Sequence, residues 1–86
     1  MRWQYTDRFQ RAYNALQDTD ARRVEKAIIL LAGDLPYPSL RVKKVQGTEE
    51  IWEARASLSL LITFEIHGDL IVLRNVGLHD DVLRKP

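Results

Sequence analysis

The sequence predicts an α+β domain in which an N-terminal helical hairpin packs on an antiparallel meander sheet. Two observations carry this expectation. Apolar residues recur at helical spacing up to about residue 33, and after the stretch "GDLPYPSL" they alternate with a period near two. In "TDRFQRAYNAL", Phe9, Ala12, Tyr13 and Leu16 stand at i, i+3, i+4 and i+7, with Thr6 or Asp7 available as a cap. "DTDARRVEKAIILLAG" repeats the spacing with Val24, Ala27, Ile28 and Leu31 and stops at Gly33. Trp3 and Tyr5 allow a short opening strand ahead of the hairpin.

Pro36 and Pro38 break the helical period, because proline lacks the donor that a helix interior needs. Four strands are expected beyond them, over residues 40–45, 51–57, 61–67 and 70–76, with turns at Gly47 and at Gly68-Asp69. Side chains swap faces at every strand residue. Leu60, Ile62, Phe64 and Ile66 are therefore expected to face the helices, which leaves Leu61, Thr63 and Glu65 on the other face. A connection at 58–60 would set Ser57 opposite Leu61, Arg55 opposite Thr63 and Glu53 opposite Glu65. A two-residue turn at 68–69 would set Arg74 opposite Thr63 and Val76 opposite Leu61. The outer face then holds Glu53, Arg55, Ser57, Thr63, Glu65 and Arg74, with Leu61 as an apolar exception among them. These residues fit either a ligand-binding face or an ordinary solvated face with cross-strand ion pairs.

Composition narrows the function classes. A chain of 86 residues, 45% apolar and 29% charged, has the size of one small domain. It has no cysteine and two histidines, so the expected stabilisation is packing or a partner, with no disulfide, metal or cofactor. The longest apolar run, "AIILLA", is far short of the roughly 20 residues of a membrane span, and "MRWQYTDRF" does not read as a signal peptide. A cytoplasmic protein is expected, with no membrane partner. Thirteen Lys and Arg against twelve Asp and Glu give a net charge of +1, so a local patch matters more than the sum. Arg41, Lys43 and Lys44 gather in "LRVKKV". They suit RNA binding, and equally a strand edge protected by lysines. His79 and Asp80 follow the last expected strand. Histidine moves protons near neutral pH, and Arg55 or Arg74 could steady a phosphate, although Asp80 also fits a plain helix cap.

The segments "YTDRFQRAY", "PSLRVKKVQGTEEIWEARAS", "LITFEI" and "IVLRNVGLHDDVL", in this order and spacing, resemble the RelE/ParE superfamily of bacterial toxin-antitoxin toxins. The likeness spans almost the whole chain, which it implies is one domain over residues 1–86, and is most specific in "SLRVKKVQGTEEIWEAR" and the closing "VGLHD". It implies a single RelE-like toxin domain, a cognate antitoxin wrapped over it and, in the RelE-like branch, metal-independent cleavage of mRNA in the ribosomal A site. The ParE-like alternative is a non-nuclease that inhibits DNA gyrase by binding it.

For the nuclease the resemblance implies His79, Arg55 and Asp80 as catalytic residues, with Glu53 as an additional base. Lys43, Lys44, Arg41 and Arg74 are the RNA-binding candidates. The family commonly writes arginine where this chain has Leu61. On that pattern Leu61 occupies a catalytic position on the polar face, and an attenuated activity is the expectation.

Overall fold

The computed structural model describes residues 1–33 and 38–86, so the break expected at Pro36 lies outside the described residues. The chain runs β1 (Arg2–Tyr5), α1 (Asp7–Asn14), α2 (Asp18–Ala32), a 3-10 turn (Pro38–Leu40), β2 (Lys43–Lys44), β3 (Trp52–Arg55), β4 (Leu60–His67), β5 (Leu70–Leu78) and α3 (His79–Arg84). Two N-terminal helices lie on one five-stranded sheet, ordered β1-β5-β4-β3-β2. The optional opening strand is present, and it pairs parallel to β5, so the meander gains one parallel edge.

Local chemistry accounts for the helix starts. Thr6 has extended backbone angles and its hydroxyl accepts from the Phe9 amide at 3.1 Å, which leaves Asp7 to complement the helix dipole in the first turn. Asp18 and Asp20 do the same for α2, whose cap residue Gln17 makes no side-chain capping bond. The two helices bury Phe9, Val24, Ala27 and Ile28 against Ala54, Leu60, Ile62, Phe64, Ile71, Leu73 and Val76 of the sheet. The Tyr13 hydroxyl donates to Glu25, tying α1 to α2. No helix among the described residues is long and apolar enough to cross a membrane.

The strand register differs from expectation in two places. Between β3 and β4, Arg55 stands opposite Leu61 and Glu53 opposite Thr63, two residues away from the expected pairing. The connection is 56–59, because the Ser57 hydroxyl turns the chain by accepting from the Leu60 amide at 3.2 Å while the Ala56 amide donates to the Leu60 carbonyl at 3.0 Å. A slip of two leaves every side chain on its expected face.

Between β4 and β5, the Gly68-Asp69 turn starts the ladder as expected, with His67 opposite Leu70. A bulge then makes Arg74 the extra residue, so that Thr63 meets Asn75 and Leu61 meets Gly77. The apolar phase of β5 changes accordingly from Ile71 and Leu73 to Val76, which joins the main core and does not face Leu61.

The outer face is only partly open. Leu61 and Thr63 are fully buried, Glu53 is nearly so, and Val45 and Val82 are buried outside the main core. The cover is α3, which folds back onto β4 and β5. A methyl group placed on Gly77 would lie 3.4 Å from Val82 Cγ2, which shows how closely α3 approaches the strand that pairs with Leu61. The open polar face expected around Leu61 is therefore absent. Ile66, expected in the core, is 42% exposed near the end of β4.

Candidate active site

The His79 amide donates to the Ser59 carbonyl at 2.9 Å, so α3 begins against the β3–β4 connection. This places the imidazole beside β2 and β3, where Lys43, Lys44, Val45, Gln46, Glu53, His79 and Leu83 line a cleft of about 610 Å³. The cleft thus joins residues far apart in sequence. Lys43 stands opposite Glu53 on the ladder, and its ammonium lies 3.7 Å from the Glu53 carboxylate. Glu53 is almost wholly buried whereas Lys43 is mostly exposed. Lys44 extends over the Trp52 ring, 5.4 Å from its centre, which fixes the lysine stem while leaving its charge in water.

His79 Nδ1 lies 3.2 Å from Asp80 Oδ1. With Nδ1 engaged in this way, Nε2 is the ring nitrogen left for a substrate. Asp80 is 92% exposed and is not the cap of α3, because Leu78 takes the N-cap position without a side-chain capping bond. The arrangement offers a partly exposed imidazole, a buried carboxylate and the Lys43 ammonium around one open cleft, with Lys44 at its edge. Those are the parts that proton transfer at a phosphodiester requires.

The remaining candidates lie elsewhere. Arg55 donates to the Leu58 carbonyl at 2.9 Å and, with Arg41, lines a separate cleft against α2. Arg74 is committed to Glu65 and also donates to the Pro86 carbonyl at 3.3 Å. Arg74 holds the Glu65 carboxyl below its ordinary value by hydrogen bonding, partly opposed by desolvation and assisted by His67. Leu61 is buried beneath α3 and lines neither cleft. Gln46 and Leu83 belong to the His79 cleft and were not among the candidates. Gln46 lies next to the basic strand and Gly47, but its residue type alone carries no chemical signal.

The comparisons with known proteins bear on the fold. No family model matches the chain, and no curated protein matches it. Among solved structures, YafQ from E. coli strain BL21(DE3) superposes with a TM-score of 0.81 at 12% identity, covering 95% of this chain and 98% of that one. The RelB-RelE antitoxin-toxin complex from Methanococcus jannaschii matches with a TM-score of 0.75 at 19% identity, covering 95% and 96%. This is the RelE-like fold. A further RelE-like match is the E. coli DinJ-YafQ toxin-antitoxin complex, with a TM-score of 0.66 at 12% identity and 93% of each chain covered. The RelE-like architecture of two helices on a mostly antiparallel sheet is thus shared over nearly the full length, although few residues are identical.

Proposed function

We propose that this chain is the toxin of a type II toxin-antitoxin pair, acting in the cytoplasm as a ribosome-dependent mRNA endonuclease, with residues 1–86 serving as one toxin domain. The observation that carries the reading is the convergence of His79, Glu53, Lys43 and Lys44 on one cleft of a RelE-like fold.

In this reading Glu53 takes the proton from a ribose 2′-hydroxyl, whose oxygen attacks the adjacent phosphorus. Protonated His79 gives its Nε2 proton to the departing 5′-oxygen. The P–O5′ bond breaks as the P–O2′ bond forms, leaving a 2′,3′-cyclic phosphate and a 5′-hydroxyl. Lys43 stabilises the charge on the non-bridging oxygens, Lys44 holds the RNA strand at the edge of the cleft, and Asp80 steadies the imidazole through Nδ1. No step calls on Leu61, so leucine at that position is no argument for attenuation. Arg55 and Arg74 likewise have no assigned step.

In vitro translation tests the reading. Cut mRNA on stalled ribosomes is expected, with His79→Ala slowing cleavage by about 10²–10⁴-fold without loss of fold. Intact mRNA together with inhibited gyrase supercoiling would overturn the nuclease in favour of a ParE-like binder.

A further inference from the structure

A second cleft, of about 460 Å³, lies between α2, the 3-10 turn and the β3–β4 connection. Its lining includes Arg23, Lys26, Arg41 and Arg55. Arg23 and Lys26 are one helical turn apart and both exposed, and Arg41 is exposed as well. Among the described residues the only ion pair made by any of these four is Arg23 with Asp20, at 3.5 Å. Arg41 holds a φ of +47°, a left-handed conformation uncommon away from glycine. Half-buried Arg55 is fixed through its bond to the Leu58 carbonyl.

The floor has a different character. Ala27 and Leu40 are buried there and Leu30 is partly so, while Leu58 at the rim is 88% exposed. Cations around an apolar surface in a cleft of this size match a nucleotide, whose phosphate needs the charge and whose base and ribose need the apolar contact. A duplex would keep its bases stacked inside and leave Leu58 unused.

We propose that this cleft is a second RNA subsite, which takes one unpaired nucleotide with its phosphate on Arg23, Lys26 and Arg41 and its base against Leu30 and Leu58. The choice of an RNA strand over a free nucleotide rests on the function proposed above. The subsite adds affinity away from His79 and takes no part in bond cleavage.

The test is fluorescence anisotropy with a labelled 2′-O-methyl RNA oligonucleotide, which lacks the attacking hydroxyl and stays intact. The triple variant Arg23→Gln/Lys26→Gln/Arg41→Gln is expected to bind about tenfold more weakly near physiological salt. Its salt slope should fall by about 0.7, the value for one phosphate contact on a single strand. Leu58→Ala is expected to weaken binding a few-fold at an unchanged slope. Thermal melts establish that each variant is folded. A triple-variant slope equal to wild type, or full affinity in Leu58→Ala, overturns the proposal. Adenosine monophosphate binding as tightly as the oligonucleotide would assign the cleft to a free nucleotide and also overturn it. His79→Ala separates this proposal from the nuclease reading. Cleavage at the wild-type rate in that variant sinks the catalytic assignment, whereas the triple-variant slope still decides the subsite.

Discussion

Leu61 shows how much a single position depends on its cover. Strand alternation alone puts it among polar side chains, but α3 closes over it and leaves it fully buried. An arginine there would overpack a filled site and leave a charge without solvent. Leu61→Arg is therefore expected to destabilise the fold by about 3 kcal/mol or more, and Leu61→Ala by about 2–5 kcal/mol, as read by urea denaturation. A Leu61→Arg protein as stable as the parent would contradict this packing. Glu53 should behave in the opposite way. Its partner Lys43 is mostly exposed and can regain water when the carboxylate is lost. Glu53→Gln should cost only about 1 kcal/mol of stability while slowing cleavage at least about 10²-fold. A melt combined with a single-turnover cleavage assay checks both halves.

At the scale of elements, α3 both covers the outer face and carries His79. Val82 is its buried anchor. Val82→Asp should undock the helix, raising amide exchange over residues 79–84 and abolishing cleavage, while β4 and the helical hairpin keep their protection. Uniform loss of protection would instead make α3 part of the main cooperative unit. The bulge in β5 has a pH consequence, since it leaves Arg74 bonded to Glu65. The folded state lowers the Glu65 carboxyl below its ordinary value of 4.5. The stabilisation is therefore complete above that value and is lost as pH falls through the lowered one. Parent stability should decline on this account as pH falls below 4.5, and Glu65→Gln should show a shallower decline in urea unfolding at stepped pH.

For the whole molecule, the RelE-like fold and the open His79 cleft lead to an expected partner. A small antitoxin encoded by a neighbouring reading frame should co-purify with the chain. A partner that binds only the folded state at about 100 times its Kd adds roughly 2.7 kcal/mol of stability, which a concentration-dependent thermal shift would register. If no neighbouring product binds, the proposed pairing with an antitoxin is overturned.

Local chemistry was legible in the sequence. The apolar spacing around Phe9 and Val24 marked the two helices, the first cap was narrowed to Thr6 or Asp7, and Gly68-Asp69 marked the tight turn. The faces of β3 and β4 were legible too, because a period of two is unchanged by a two-residue slip. For that same reason the pattern could not choose the register, and the Ser57 hydroxyl chose it by closing the turn. The bulge that sends Val76 into the core, the parallel pairing of β1 with β5 and the return of α3 over Leu61 needed the tertiary structure. So did the sorting of cations, with Lys43 and Lys44 beside His79 and Arg41 and Arg55 in another cleft. Each of these joins segments distant along the chain, and their contacts follow from how the packed elements meet, which no local period encodes.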